Sequence, residues 1–183
     1  MINNFEPTQL YEDLADYFAS DTKKGLMVIG SIGTGKSIAM GCFASIFKEI
    51  RHEKRFELIS TRHILRDYQK DGEMIVDKYG RESFYTSHSP VMGSTINLKR
   101  PKTYCFDDLG MENIDAKRYG NAANIMADIL LDRYEKMITH GMVTHATTNL
   151  SVEIIEKKYG DRLMDRFKEM MRVIIVEGKS FRK

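Results

Sequence analysis

The chain has 183 residues, of which 42% are hydrophobic and 30% are charged, and this fits one globular domain with a sizeable core. Its formal net charge is only +2, so no overall positive field indicates a nucleic-acid partner. No apolar run approaches the length that spans a membrane, and the acidic N-terminus, with Glu6, Glu12 and Asp13, lacks the basic start and apolar stretch of a signal peptide.

The first predicted elements are a short helix and a buried strand. Residues 8–19 are predicted to form the leading helix, and the apolar run 25–29 is predicted to form the strand. A second helix is predicted over 38–50. The segment between the strand and this helix therefore has the strand-loop-helix context that a phosphate-binding loop requires.

That loop, Gly30 to Ser37, fits G-x-x-x-x-G-K-[ST] at every fixed position. Its glycines let backbone N–H groups turn inward around an anion, and the next helix points the positive end of its dipole at the same place. Lys36 is expected to reach the β- and γ-phosphates, and Ser37 to place its hydroxyl on Mg²⁺. The alternative is an ordinary glycine-rich turn. We expect ATP and Mg²⁺ here, with the nucleotide bound by Gly30, Ser31, Ile32, Gly33, Thr34, Gly35, Lys36, Ser37 and Ile38.

The middle of the chain is predicted as a strand, a helix and an irregular connection. The strand covers 56–60 and the helix 62–79. Residues 80–100 are rich in Ser, Gly and Tyr and contain Pro90, which favours a segment without regular structure.

An apolar, β-prone run, 103–107, then ends in two adjacent carboxylates, Asp107 and Asp108. The run is similar to the Walker B strand, the second signature of NTPases. Asp107 is then expected to hold the Mg²⁺ shell and Asp108 to polarise the attacking water. Many related enzymes have Glu at the second position, so the shorter Asp108 leaves the rate of hydrolysis open. The alternative is a strand followed by an Asp-rich turn.

The remaining elements, which end in a fifth strand over 172–176, complete an alternation of strands and helices that predicts a parallel sheet covered on both faces. A long helix is predicted over 121–139 and a strand over 142–148. Ser151 is expected to cap the next helix and Gly160 to end it. Cys42 and Cys105 fall on a predicted helix and strand, positions better suited to packing than to a disulfide. Reduced thiols predict a cytoplasmic protein.

Five motifs occur in one order, and their order resembles that of the AAA+ ATPases of the DnaC/IstB type, bacterial helicase loaders and transposition helpers. The motifs are Gly30–Ser37, Cys105–Gly110, Thr147–Leu150, Gly160–Phe167 and Glu177–Arg182. The resemblance implies an α/β P-loop NTPase fold with an AAA+ core, a five-stranded parallel sheet flanked by helices on both faces. It divides the chain into a short N-terminal helical segment, 1–24, and an ATPase domain, 25–183.

The resemblance also implies roles for four residues outside the loop. Asn149 matches the sensor-1 position, where an amide orients water against the γ-phosphate. Arg162 and Arg166 lie one helical turn apart, and one of them is expected to be the arginine finger that completes a neighbour's site. Arg182 matches the arginine of the family's closing segment and is expected to act as a sensor-2 group. The alternatives are a turn Asn, a solvated helix edge pairing with Asp165 or Glu169, and a disordered tail.

A DNA-directed role and shared active sites are further implications of the family. We therefore expect a homo-oligomer that assembles with ATP on single-stranded or double-stranded DNA, sequence-tolerantly, and that assists a replicative helicase or a transposase. No membrane partner is expected. Two basic clusters, Lys99–Lys102 and Lys117–Arg118, are candidates for phosphate contacts.

Two other functions fit the same loop. A small-molecule P-loop kinase would work within one chain and would need an acceptor pocket and a closing lid, neither of which the sequence identifies. A nucleotide-gated module would hold ATP and hydrolyse little of it, in keeping with Asp108 in place of Glu.

Overall fold

The structure, a computed structural model, describes residues 8–91, 94–111, 117–118, 121–122, 124–177 and 180, without the side chains of 88–91, 94–98, 117–118 and 121–122. In chain order the elements are α1 (Gln9–Ala19), β1 (Gly25–Gly30), α2 (Lys36–Glu49), β2 (Glu57–Ser60), α3 (Thr61–Asp71), α4 (Met74–Tyr79), β3 (Phe84–Val91), β4 (Ser94–Pro101), β5 (Tyr104–Asp107), β6 (Lys117–Arg118), β7 (Asn121–Ala122), α5 (Ile125–His140), β8 (Thr144–Thr148), α6 (Val152–Tyr159), α7 (Asp161–Met170) and β9 (Met171–Val176).

Five strands form one sheet in the order β2-β5-β8-β1-β9, and each neighbouring pair is parallel. This confirms the predicted five-stranded parallel sheet. Because parallel strands point the same way, the carboxyl ends of β1, β5 and β8 lie at one edge of the sheet. In the register, Ile29 lies opposite Thr148 on the next strand. The loop after β1 and the residues after β5 and β8 therefore come together.

Alternate residues of the central strand pack into two apolar layers, one on each face of the sheet. Leu26 and Val28 pack with α1 and α2, whereas Met27 and Ile29 pack with α3 to α7. A strand buried on both faces reads as a continuous apolar run, as this one does. Helix α1 contributes Leu14, which is fully buried, to the first layer. The leading helix is thus part of the same core as the sheet.

The structure differs from the sequence prediction between β2 and β5. The single helix predicted over 62–79 is two helices, because Gly72 takes a positive φ of 66° and ends the first. The prediction that residues 80–100 form an irregular connection was wrong. It forms an antiparallel hairpin of β3 and β4, in which Tyr85 lies opposite Arg100. Pro90 is compatible with this pairing because the hairpin is a two-stranded ribbon with open edges.

Two buried basic side chains, Arg133 and His145, hydrogen-bond to the sheet, and neither has a carboxylate partner among the described residues. The guanidinium of Arg133 on α5 donates to Thr144 Oγ1 (2.7 Å) and to the main-chain carbonyls of Tyr79, Lys102 and Val143. Burial lowers its pKa to about 9. On β8, His145 Nδ1 accepts the main-chain N–H of Leu26 (3.0 Å). Burial, with the charge of Arg133 as a lesser cause, lowers the pKa of His145 to about 3, so this imidazole is neutral in the folded protein.

Among the described residues, none of the helices has both the length and the apolar character that crossing a bilayer requires.

Candidate functional site

The glycine-rich loop between β1 and α2 curls at the carboxyl edge of the sheet. Gly33 and Gly35 have φ values of 85° and 84°, a conformation that side chains other than glycine rarely adopt. Gly35 directly precedes the first turn of α2. The N–H groups of this turn and the positive end of the helix dipole therefore point toward the loop, as an anion site requires.

Lys36 is enclosed by this loop and is only 6% exposed. Its ammonium donates to the main-chain carbonyls of Gly30 (2.7 Å) and Ser31 (2.8 Å). These bonds hold one positive charge inside the curl of the loop, next to the start of α2.

A cluster of hydroxyls and carboxylates joins the loop to the strands behind it. Ser37 Oγ donates to Asp107 Oδ1 (2.7 Å), and Thr147 Oγ1 donates to the same oxygen (2.5 Å). The Thr147 hydroxyl also accepts the main-chain N–H of Asp108 (3.0 Å). One threonine of β8 thus positions both acidic residues. A carboxylate and a hydroxyl are hard oxygen donors, and this set fits Mg²⁺, which retains water and phosphate oxygens for the rest of its shell.

Asp108 follows β5 in a left-handed conformation, with φ of 58°. This costs an aspartate less than most residues. Its main-chain carbonyl accepts a hydrogen bond from Thr61 Oγ1 (3.1 Å) at the start of α3. The backbone is therefore fixed from both β8 and α3, and Asp108 lines the cavity in front of the loop.

Asn149 directly follows β8, the strand beside β5. Its side-chain oxygen is buried and has no hydrogen-bond partner within the described part of the chain. An unpartnered buried amide oxygen costs about 1–3 kcal/mol. Asn149 lines the same cavity as Asp108, so the cavity holds a polar group whose bonding capacity the fold does not use.

The cavity has a volume of about 530 Å³, which is within the usual range for small-molecule sites. Its polar side is formed by the loop, Asp108 and Asn149. Its lining also includes Leu10 and Tyr11 from α1 and Ile38 from α2. The side chain of Ile38 is 69% exposed. The polar groups suit a phosphate tail, and the apolar and aromatic side chains suit an aromatic base.

Sequence reasoning missed three residues of this site. Thr147 lies in the motif Thr147–Leu150, but the sequence predicts no role for it. Arg62, the second residue of α3, lines the cavity although 32 positions separate it from Gly30, and its guanidinium makes no ion pair or hydrogen bond within the described residues. Tyr11 comes from the leading helix. No local pattern marks Arg62 or Tyr11, because only the pairing of β2 with β5 and the packing of α1 bring them here.

The two candidate finger residues lie on α7, away from the cavity, and their surroundings differ. Arg166 packs over the ring of Tyr134 at 4.7 Å and pairs with Glu169 at 3.6 Å, which is the pairing that the alternative interpretation expected. Arg162 is exposed and has no such partner among the described residues. Arg162 is therefore the better placed of the two to reach another molecule.

Arg182 lies outside the described residues. Ser180, two positions before it, lies against the glycine-rich loop, because a Cβ added to Gly33 would come within 2.1 Å of Ser180 Oγ. The C-terminal segment therefore returns to the site at this point.

Comparisons with known proteins place the fold. No family model and no curated protein matches the chain. The crystal structure of the DnaC helicase loader matches with a TM-score of 0.58 and 18% identity, over 96% of this chain and 95% of that one. The crystal structure of DnaI matches with a TM-score of 0.60 and 15% identity, over 96% and 88%.

AMPPCP-bound DnaA from Aquifex aeolicus also matches, with a TM-score of 0.59 and 12% identity, over 95% of this chain and 48% of DnaA. At these identities the likeness is one of fold. Together with the strand order, it shows that this chain has the AAA+ P-loop fold in the form that DnaC has.

Proposed function

We propose that this protein is a Mg²⁺-dependent AAA+ ATPase that acts on DNA and helps to load or position another nucleic-acid enzyme in replication or transposition. The observation that carries the proposal is the cluster of Ser37, Asp107 and Thr147 beside the glycine-rich loop. It joins a cation site to an anion site at one edge of the sheet, which is what a triphosphate with its metal needs.

Each part of the site has a distinct role in this proposal. The N–H groups of Gly30 to Ile38 bind the phosphates, and Lys36 neutralises their charge. Ser37 and Asp107 hold Mg²⁺, which supplies positive charge to the reacting phosphate oxygens. Asp108 accepts a proton from the attacking water, and the buried amide of Asn149 orients that water. Arg182 contributes from the C-terminal segment.

The role in DNA metabolism and the assembly rest on the fold. One structure of the same fold is a helicase loader and another binds AMPPCP, a nucleoside triphosphate analogue. We therefore propose single-stranded or double-stranded DNA and a replicative helicase or transposase as partners. In a homo-oligomer, Arg162, or otherwise Arg166, completes the site of the neighbouring copy. The ATPase domain is 25–183, with 1–24 as its N-terminal segment.

Two substitutions separate nucleotide binding from hydrolysis. Lys36→Ala should abolish measurable ATP binding in isothermal titration calorimetry, because it removes the charge inside the loop. Asp108→Asn should bind ATP normally and hydrolyse it about 10² to 10⁴ times more slowly, the usual contribution of a general base. Unchanged ATP affinity in Lys36→Ala would refute the assignment of this site.

One observation favours a second function, a nucleotide-gated binding module with little hydrolysis. Asp108 has a short side chain on a backbone fixed by Thr147 and Thr61, which limits its reach into the cavity. In such a module, DNA affinity would be the same with ATP and with AMPPCP, and Asp108→Asn would change neither. Faster hydrolysis in Asp108→Glu would instead favour the ATPase.

A further inference from the structure

The base of the β3–β4 hairpin and the adjoining end of α2 carry a concentration of positive charge. Five basic residues lie in this part of the chain, of which Arg55 and Lys102 are partly buried and the rest exposed, and two of them, Arg55 and Lys102, contact the ring of Tyr85. We call this surface the hairpin basic face. It consists of Lys48, Arg55, Tyr85, Lys99, Arg100 and Lys102. Because the whole chain has a net charge of only +2, such a cluster is a local feature rather than part of a general positive field.

Tyr85 lies at the centre of this face, where its ring contacts two of the cations. Its hydroxyl donates to Glu57 Oε1 (3.0 Å), which fixes the ring against β2. The guanidinium of Arg55 lies 5.7 Å from the ring centroid and the ammonium of Lys102 lies 5.1 Å from it. Cation–π contacts of this kind are worth about 0.5–1 kcal/mol at exposed sites. The ring therefore holds two cations at defined positions on the surface.

Two glutamates, Glu53 and Glu57, line the cavities of this face, but the basic side chains at its centre do not pair with a carboxylate within the described residues. Arg100 Nη2 donates to the main-chain carbonyl of Glu53 (2.8 Å), which orders the side chain. Within the described part of the chain, neither Arg100, Arg55 nor Lys102 forms an ion pair with a carboxylate. Ordered cations without carboxylate partners are suited to a polyanion, because little side-chain freedom is lost on binding.

Two surface cavities flank the centre of the face. One, of about 490 Å³, runs along β2 toward Lys48, and β2 is an end strand of the sheet. The other, of about 190 Å³, extends toward Arg100 and Gly141. Arg55 and Tyr85 line both cavities. An extended chain could therefore occupy both cavities and pass over Arg55 and Tyr85, which lie between them.

We infer that the hairpin basic face binds the sugar-phosphate backbone of single-stranded DNA, an inference that rests on the proposed function. A single strand carries one negative charge per nucleotide, and proteins that bind it without sequence preference combine a basic groove with aromatic side chains. The face has both. It refines the sequence-based expectation for Lys99–Lys102, whereas the side chains of Lys117 and Arg118 lie outside the described residues.

The face and the nucleotide site lie at opposite edges of the sheet. Glu57, to which Tyr85 is bonded, begins β2, whereas Asp107 ends the parallel strand β5. The four residues of β5 span about 13 Å. DNA and nucleotide therefore bind without competing for space, and a defect in one should leave the other intact.

The test is a charge-matched comparison of two triple variants. The first is Arg55→Gln, Arg100→Gln and Lys102→Gln. The control is Lys23→Gln, Lys70→Gln and Lys157→Gln, which removes the same charge from exposed lysines elsewhere. Fluorescence anisotropy with labelled oligothymidylate, Mg²⁺ and AMPPCP is measured over a range of NaCl concentrations, and AMPPCP affinity is measured separately to confirm folding.

We expect the first variant to bind oligothymidylate about tenfold or more weakly, with a salt slope reduced by about 2, since each phosphate contact on a single strand contributes about 0.7. The control should stay within about twofold of wild type, because it leaves every phosphate contact in place. If the triple variant does not bind AMPPCP, the milder pair Lys99→Gln and Lys102→Gln, which retains the Arg100 hydrogen bond, replaces it. This pair should show a smaller loss in the same direction.

Three results would overturn the inference. In the first, the two triple variants bind DNA equally, whether both as wild type or both weakly. In the second, polyglutamate displaces the protein from DNA as well as unlabelled oligothymidylate does, which indicates an acidic protein partner. In the third, wild type hydrolyses ATP but does not bind the strand, so that the ATPase proposal stands without this one. Failure of the ATPase proposal itself would appear in Lys36→Ala, independently of the DNA titrations.

Discussion

At the scale of single residues, the site depends on side chains that touch the candidate catalytic groups rather than on those groups alone. Thr147 is the main example, since its one hydroxyl donates to Asp107 and accepts from the N–H of Asp108. It is fully buried, so water does not replace these bonds if the hydroxyl is removed. We regard Thr147 as a positioning residue for the metal and for the attacking water.

Thr147→Val tests this role, because it removes the hydroxyl and retains the shape. We expect the Mg²⁺ concentration for half-maximal hydrolysis to rise about 10- to 100-fold, the usual cost of losing a group that orients a metal ligand. Thr147→Ser keeps the hydroxyl and should behave as wild type. The measurement is the hydrolysis rate as a function of Mg²⁺. Equal Mg²⁺ dependence in the Val and Ser variants would show that Thr147 does not position Asp107.

Arg62 gives a second prediction at this scale. Its guanidinium has no acidic partner among the described residues and lines the cavity with Lys36 and Asp108, so we expect it to bind a phosphate. Arg62→Ala should weaken ATP binding about tenfold, in keeping with a hydrogen bond to a charged group. Arg66→Ala, one turn along the same helix, is the matched control and should leave the affinity unchanged. Calorimetric titration with ATP distinguishes them, and equal affinities would exclude Arg62 from the site.

Local sequence patterns point to the candidate site residues at the loop and at the carboxyl ends of two strands, although these segments lie far apart in the chain, and the roles of these residues stay predictions. Gly30 to Ile38 follow from the loop pattern, and the position of Asn149 follows from the strand before it. Thr147 and Arg62 could not be assigned roles, because these depend on β8 and β2 lying on either side of β5.

At the scale of secondary structure, a buried hydrogen bond between main chain and side chain joins β1 to β8, in addition to the pairing of the two strands. The bond from Leu26 N–H to His145 Nδ1 requires a neutral imidazole, and burial keeps the pKa of His145 near 3. In the unfolded chain its pKa is about 6.5. As the pH falls below 6.5, His145 therefore becomes protonated in the unfolded state but stays neutral in the folded state, and the free energy of unfolding decreases.

The predicted size of this effect follows from linkage. Between pH 7 and pH 5 the free energy of unfolding should fall by about 2 kcal/mol on account of His145. His145→Asn retains an acceptor for Leu26 N–H and does not titrate, so it should lack this part of the decrease. Urea unfolding of both proteins at several pH values measures the difference. Parallel curves for wild type and variant would show that His145 is not the group responsible.

The elements themselves were largely predictable, and the exceptions have physical causes. Strands β1, β5 and β9 are apolar runs, and Ser151 caps α6 with its hydroxyl as expected. The hairpin was missed because Pro90 and the serines around it favour a turn in isolation, whereas two paired strands tolerate them. The start of α5 was placed too early, because the side chain of Asn124 caps the helix and the helix begins at Ile125.

At the scale of the whole molecule, the sheet separates the two proposed sites. The nucleotide site lies at the carboxyl edge, and the hairpin basic face lies at the amino edge. Arg162 is exposed on α7 and does not line the cavity of its own chain, so its contribution to hydrolysis requires a second copy. An arginine supplied in trans is worth about 10³ to 10⁵ in rate. An isolated copy should therefore be a slow enzyme.

The central claim is that ATP is hydrolysed between copies, and mixing two inactive variants tests it most directly. Lys36→Ala cannot hold ATP but supplies Arg162, and Arg162→Ala holds ATP but lacks the finger. Hydrolysis is measured for each variant alone and for equimolar mixtures with oligothymidylate. We predict that each alone is about 10³-fold or more below wild type and that the mixture regains activity, which rises with protein concentration. A mixture no more active than the sum of its two components would contradict the account.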